Sequence, residues 1–245
     1  MRRRKRKGFE ERLLSNSDYV INGMVELSIE NSDKVDNNFN KFDYRTPIED
    51  EVYNNIKKYR GSWNKVFKNE NPIYLEVGSG RGQFITTLAQ LNPDINFIAL
   101  EIKEEVLLRA LEKAIDKNLN NIIFLWGSVE MLDLYFDDRE LSRIYINFCD
   151  PWPKKRNAKK RLTHGNFLEL YRLKLADGEI HFKTDSKELF EFSLNQFSEN
   201  DWKLKNITLD LENSDFKENV ETEYEEKFRK LGKPIYRLEA KDNRR

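Results

Sequence analysis

From Pro72 onward the chain alternates short apolar runs with longer stretches in which apolar residues recur every three or four positions. The runs at 73–77, 96–101, 122–126, 143–149 and 179–184 read as strands, and 83–91, 103–118, 128–136, 163–175 and 186–198 read as helices between them. This alternation predicts right-handed βαβ units and a parallel sheet covered on both faces. A last pair, 202–211 and 234–240, is joined by a charged helix at 223–231 and predicts a hairpin closing the sheet edge. Upstream, Val52, Ile56, Tyr59, Trp63 and Phe67 set out one helix within 49–67. Residues 28–45 are rich in Asn, Asp and Ser without periodicity and read as a flexible insertion. Residues 1–15 read as a basic arm running into a short amphipathic stretch. The expectation is an α/β fold whose main domain spans 71–245, preceded by a 1–70 segment of arm, insertion and leading helix.

Composition adds little to this picture, but charge distribution adds much. Of the 245 residues 38% are hydrophobic, enough for a core, and the 43 basic residues balance the 43 acidic ones. The cations are not spread evenly. Residues 2–7 are all basic, as are six of the eight residues 154–161, which suggests two electrostatic footprints for a nucleic acid. One cysteine, Cys149, excludes an internal disulfide framework and fits a reducing compartment. No apolar run approaches the ~20 residues that span a bilayer, and no apolar segment follows the basic start, so the expectation is a cytoplasmic protein with no membrane partner. The two histidines, His164 and His181, read as structural or surface residues, and with one distant cysteine they indicate no metal site.

The first candidate chemistry lies where the first predicted strand ends, in Leu75-Glu76-Val77-Gly78-Ser79-Gly80-Arg81-Gly82. Glycines at a strand-to-helix turn let backbone approach a ligand where a Cβ would block it. There is no P-loop Lys-Ser/Thr. Glu101 ends the next strand, where a carboxylate accepts hydrogen bonds from ribose hydroxyls. Glu76, before the glycines, suits a ligand with an ammonium group and no phosphate. S-adenosylmethionine meets both demands better than NAD. The bland alternative is a tight turn with two incidental acids.

The second candidate begins at Asn147 and runs Asn-Phe-Cys-Asp-Pro-Trp-Pro-Lys-Lys-Arg to Arg156, then on to Lys159-Lys160-Arg161. It leaves the C-terminal end of the fourth strand beside the first, where open α/β sheets place their ligand crevice, so Asp150 is expected to face the methyl donor. Acid-proline loops at this point serve amino-methylating enzymes. Trp152 would stack on an extruded base or anchor the core. On the residues alone the loop suggests chemistry on a base within a nucleic acid, with an adenine amino-methyltransferase on RNA or DNA and a non-catalytic RNA-binding subunit as alternatives.

Residues 73–240 closely resemble the bacterial tRNA (guanine-N7-)-methyltransferase family. The resemblance is carried by Leu-Glu-Val-Gly-Ser-Gly-Arg-Gly-Gln-Phe at 75–84, Asn-Pro-Asp-Ile-Asn-Phe-Ile-Ala-Leu-Glu at 92–101 and Arg-Ala-Leu-Glu-Lys at 109–113. It continues through the Asp150 loop, Ile-His-Phe-Lys-Thr-Asp at 180–185, Thr-Glu-Tyr-Glu-Glu-Lys-Phe at 222–228 and Gly-Lys-Pro-Ile-Tyr-Arg at 232–237. The basic start at Arg2–Lys7 is similar to the family's N-terminal arm.

The resemblance implies a Rossmann-like class I methyltransferase fold with a seven-stranded, mostly parallel sheet and an antiparallel closing strand. It implies transfer of a methyl group from S-adenosyl-L-methionine to N7 of the variable-loop guanosine of tRNA, with tRNA and not DNA as partner. The donor would be held by Glu76, Gly78, Ser79, Gly80, Glu101, Ser128 and Asp150, with Asp150 also the catalytic residue. Lys154, Asp185, Thr222, Glu223, Tyr224 and Glu225 would contact substrate; from the chemistry of guanine itself, Glu225, with Asp185 sharing the role, is expected to accept from N1–H and the 2-amino group. Arg156, Asn157, Ala158, Lys159, Lys160 and Arg161 would meet RNA. Ser128 stands where the family has an acid or amide, Asn157 where it has a histidine, and Gly8-Phe9 where it has Pro-Trp. Members occur as monomers and as homodimers.

Overall fold

The computed structural model of the protein describes residues 8–24 and 51–244. The basic run 2–7 and the insertion 28–45 lie outside the described residues. Along the chain the elements are α1 (Phe9–Leu14), β1 (Val20–Asn22), α2 (Glu51–Lys57), α3 (Trp63–Phe67), β2 (Ile73–Val77), α4 (Gln83–Leu91), β3 (Asn96–Glu101) and α5 (Glu104–Asp116). They continue with β4 (Ile122–Trp126), α6 (Leu132–Tyr135), β5 (Leu141–Asn147), α7 (Gly165–Lys174), β6 (Leu175–Thr184), α8 (Lys187–Glu199), β7 (Trp202–Thr208), α9 (Glu223–Lys230) and β8 (Tyr236–Asp242).

The described strands form one sheet in the order β1-β4-β3-β2-β5-β6-β8-β7. Neighbours from β1 through β6 are parallel, and β8 runs antiparallel to both β6 and β7. The α/β class, the reversal of strand order at β2/β5 and the antiparallel closing pair match the expectation. The sheet has one strand more than expected, because Val20–Asn22 pairs with Phe124–Trp126 at the edge. Three residues are too few to show as an apolar run, and the N-terminal segment is joined to the sheet through them.

Other expected boundaries shift for local reasons. The single helix within 49–67 is two, because Gly61 turns at φ 69° and donates its N–H to Glu140 Oε2 at 3.1 Å. Trp63 opens α3 fully buried, stacked between Tyr59 and Phe136 with Nε1–H on the Tyr135 carbonyl at 3.0 Å. The 128–136 helix is a 3₁₀ turn, Val129–Met131, followed by the short α6. β6 begins directly after α7, four residues before the expected start. A bulge against β5 makes this possible, and there a Cβ on Gly178 would lie 2.0 Å from the Ser142 carbonyl oxygen.

Because side chains alternate across a strand, the two sheet faces differ. One face sends Leu75, Leu100, Ile144, Ile146, Ile180 and Phe182 into the main core, with Trp63, Tyr135, Phe167 and Phe190 from α3 and α6–α8. Burying each such side chain stabilises the fold by roughly 1.5–3 kcal/mol. The other face is apolar only over β1, β3 and β4, where Val20, Phe97, Ala99 and Phe124 pack against α4, α5 and Leu13 of α1. On β5, β6 and β8 it carries Arg143, Asn147, Glu179, His181, Lys183, Arg237 and Glu239 instead, lining a cleft of about 820 Å³.

Candidate active site

At the end of β2 the chain turns through Gly78, Gly80 and Gly82, all at positive φ (72°, 56° and 75°). Gly82 is needed for packing, since a Cβ there would lie 2.4 Å from the Ala110 Cβ on α5. Gly78 and Gly80 have open space instead, with nothing within 4 Å of a Cβ. The N–H groups of Gly78 and Ser79 are spent on the Leu100 carbonyl, at 2.8 and 3.0 Å. Glu101 braces the turn from β3: Oε2 accepts from Gly80 N–H at 3.1 Å and Oε1 from Ile102 and Lys103 N–H at 3.0 Å each.

Glu76 points from β2 to the same place and is 2% exposed. Its Oε1 accepts from Asn147 Nδ2 at 2.9 Å, while Oε2 has no hydrogen-bond partner among the described residues. Burial pushes the carboxyl up to about 8, against the smaller downward pull of the Asn147 hydrogen bond and the Lys183 charge. An orphaned buried acid is costly unless a cation meets it. The open glycine turn, this orphaned acid and the braced Glu101 therefore fit S-adenosyl-L-methionine: Glu76 would hold its ammonium and Glu101 its ribose. Ser128 caps the 3₁₀ turn, its Oγ accepting from Glu130 N–H at 3.3 Å, and its own N–H donates to the Tyr135 hydroxyl. That side chain is committed to backbone, not shaped as an acid or amide would be.

Beyond β5 the chain makes a strained turn. Phe148 (φ 50°) and Trp152 (φ 42°) both lie in the left-handed region on either side of exposed Asp150, a conformation that survives only where surroundings over-determine it. Phe148 N–H donates to the Lys183 carbonyl at 2.9 Å. Arg161 holds the other end: Nε donates to the Pro151 carbonyl at 3.1 Å, Nη2 to the Trp152 carbonyl at 3.0 Å, and the guanidinium covers the Phe192 ring at 4.3 Å. Arg161 is 9% exposed. Expected among the RNA contacts, it faces inward and clamps the loop; sequence hides this because a buried and an exposed arginine look alike in a basic run. The rest of the run differs. Lys154, Lys155, Arg156, Lys159 and Lys160 are exposed, with Asn157 and Ala158 half-buried, along the 3₁₀ segment Lys155–Lys160. Trp152 lies half-buried beneath Lys160 Nζ, 4.9 Å from its ring centroid.

The 222–225 segment opens α9 against this loop. Thr222 is its N-cap, accepting from Glu225 N–H at 3.0 Å, so the hydroxyl expected at substrate is engaged in the helix start. Glu223 pairs with Lys113 of α5 at 2.5 Å. Tyr224 is exposed and stacks with Phe148 and Phe228. Glu225 is buried and already paired: Oε2 accepts from Lys183 Nζ at 2.7 Å and Oε1 from Asn219 Nδ2. Asp185, half-buried, follows β6 two residues after Lys183. Asn147 and Lys183 were not singled out from sequence. Their signal is a polar or charged residue inside an otherwise buried strand, Ile144-Tyr145-Ile146-Asn147 and Ile180-His181-Phe182-Lys183.

Elsewhere in the cleft several polar groups pair with one another. Glu179 accepts from His181 at 2.7 Å, Arg143 at 3.0 Å and Lys205 at 2.5 Å, and Glu239 pairs with Arg237 and Asn206. His181 is thus structural, with burial lowering its pKa, and His164 caps α7 by accepting from Asn166 N–H. Burial and the neighbouring Asp150 push the Cys149 thiol up to about 12, far from a nucleophile.

Comparison with known proteins agrees with this geometry. Residues 70–238 match a family described as putative methyltransferase. A tRNA (guanine-N(7)-)-methyltransferase of Clostridioides difficile is 53% identical over 242 residues, covering 98% of this chain and 99% of that protein. Proteins of the same name from Listeria monocytogenes (50% identical, 78% of this chain and 89% of that one) and Brevibacillus brevis (53%, 74% and 86%) match a shorter span. Among solved structures, an antibiotic-related methyltransferase (TM-score 0.55, 16% identity, covering 75% of this chain and 93% of that one) shares the fold. So does the 16S rRNA methyltransferase KamB (0.55, 14%, 81% and 95%). The chain belongs to the tRNA (guanine-N7-)-methyltransferase family.

Proposed function

We propose that the protein transfers a methyl group from S-adenosyl-L-methionine to N7 of a guanosine in the variable loop of tRNA. The observation that carries this reading is the convergence of three strand ends. Orphaned Glu76 lies on β2, Glu101 ends its neighbour β3 and braces the open glycine turn, and the Asp150 loop follows β2's other neighbour, β5, with exposed cations continuing from it. The donor supplies an electrophilic methyl: the N7 lone pair forms the new C–N bond as the C–S bond breaks, and positive charge passes to the guanine ring.

Since N7 needs no deprotonation, the protein's task is alignment at near-attack distance. The Phe148 and Trp152 turns, two prolines and the Arg161 clamp fix where Asp150 points. Its carboxylate would position the base and offset the charge the ring acquires. Glu225 and Asp185 would accept from guanine N1–H and the 2-amino group, a donor edge that adenine lacks; each oxygen of Glu225 keeps a second lone pair beyond its present bond. N7 is engaged in folded tRNA, so the variable loop must open or the nucleotide flip, with Tyr224 and Trp152 as stacking faces. Lys154, Arg156, Lys159 and Lys160 would bear on phosphates.

The test is methyl transfer from labelled donor to unmodified tRNA transcripts, mapped by strand scission at 7-methylguanosine. Label at the variable-loop guanosine, absent when that guanosine is replaced, is the expected result. Label on adenosine would transfer the reading to the amino-methyltransferases.

A further inference from the structure

We propose that Lys183 is a positioning residue for guanine recognition, aligning Glu225 from beneath the substrate side of the mouth; this rests on the reading of Glu225 given above. Three contacts converge on its ammonium: Glu225 Oε2 at 2.7 Å, the Val220 carbonyl at 2.9 Å and Asn219 Oδ1 at 3.1 Å. All three donors of an ammonium are therefore spent on one segment, 219–225. The same nitrogen lies 4.9 Å from the Phe84 ring centroid on α4. Lys183 is 4% exposed, so it is not an RNA contact, and no part of the methyl transfer uses it directly.

Its surroundings explain why a lysine is kept there. Glu76 from β2, Glu225 from α9 and Arg237 from β8 all act on it electrostatically, two acids against one base. Lys183 thus ties the acid assigned to the donor's ammonium to the acid assigned to guanine. A buried carboxylate left without the lysine it is paired with is strongly destabilised where it sits. Without Lys183, Glu225 would no longer present its remaining lone pairs in a fixed direction, and Asn219 and Val220 would lose the anchor of the turn that leads into α9. The position also ends at the loop: the Lys183 carbonyl holds Phe148 N–H at 2.9 Å. Backbone and side chain of one residue therefore meet both walls of the proposed base site.

The experiment compares wild type, K183M, K183R, E225Q and the K183M/E225Q pair. Substrates are ligated tRNAs carrying either guanosine or inosine at the target; inosine keeps N7 and N1–H but lacks the 2-amino group. kcat and KM are measured for both, with tRNA affinity by filter binding and donor affinity by calorimetry. Wild type should prefer guanosine by about tenfold to a hundredfold. K183M should lose most of that ratio through the guanosine arm while donor and overall tRNA affinity stay within about threefold. K183R should recover much of it, and the double variant should be no worse than the worse single one. An unchanged ratio in K183M overturns the proposal. So does equal loss on both substrates, or losses that multiply in the double variant. Should K183M fail to fold, K183Q takes its place: a ratio as collapsed as that of E225Q supports an alignment role, and general loss at an intact ratio overturns it. A wild type inactive on guanosine would instead sink the functional reading itself.

Discussion

The donor side and the RNA side of the mouth start from neighbouring strand ends and are held in different ways. On the donor side the groups come from β2 and β3 and are fixed by backbone: Glu101 spends three hydrogen bonds on N–H groups, and Glu76 is buried with one oxygen left over. On the RNA side an exposed loop with two left-handed aromatics is held by one buried guanidinium, and the cations beyond it face outward. The difference suits what each side is proposed to handle. A small donor needs desolvated, preformed contacts, whereas a polyanion is drawn by unscreened surface charge and released again. The Asp150 loop stands between them, exposed like the second and rigid like the first.

The comparison breaks most visibly at Asp150. Replacing it by Ala should lower kcat by about a hundredfold or more while donor and tRNA affinities change little, as expected for a group that acts in the transition state. Equal losses in kcat and tRNA affinity would make it an ordinary binding contact.

Removing the loop's clamp comes next. Arg161→Met should cost about 1–3 kcal/mol of stability, since the loop carbonyls of Pro151 and Trp152 lose their charged donor, and lower the rate of bound substrate about tenfold. Thermal melting and single-turnover assays read the two effects.

On the donor side the sharpest reading is a proton. Glu76 carries its carboxyl raised to about 8, so it is protonated in the free protein near pH 7. An ammonium beside it favours the ionised form, so donor binding at pH 7 should release up to one proton, seen by calorimetry in buffers of different ionisation enthalpy. Glu76→Gln should abolish the release and weaken the donor about tenfold. The same shift has an opposite sign for stability from that of a salt-bridged acid. Folded Glu76 binds a proton more tightly than unfolded Glu76 does, so its burial costs little below the ordinary carboxylate range. The destabilisation then grows as pH rises toward about 8. Glu76→Gln should therefore flatten that loss.

The smallest effect belongs to exposed cations. Lys159→Ala with Lys160→Ala should raise KM for tRNA a few-fold and reduce the slope of log affinity against log salt by about one to two, with kcat intact.

Much of this architecture was legible because periodicity reports burial. β2, β3 and β4 fall at the expected residues, and so do the alternation with helices and the antiparallel closing pair. What stayed hidden depends on single contacts. Gly61 divides a helix because its left-handed turn meets Glu140, and β1 is too short to register. The polar face of β5, β6 and β8 could not be inferred from strands that read as buried. In the site, Glu101 bonds the glycine turn and lies close enough to act on Glu76, while Asp150 follows the neighbouring strand β5. The direction of a side chain could not be read: Arg161 turns inward from a basic run, Thr222 is consumed as a helix cap, and Glu225 is already paired with Lys183.

In the proposed function one basic run does two jobs, the inward Arg161 setting the rate and the outward lysines setting RNA affinity. Single-turnover methyl transfer at saturating donor, measured across tRNA concentration at two salt concentrations, tests it in Arg161→Met and in the Lys159→Ala/Lys160→Ala pair. The account predicts a slower step with an unchanged salt slope for the first, and an unchanged step with a flatter slope for the second. An Arg161→Met protein that keeps its saturated rate and loses salt dependence would contradict it.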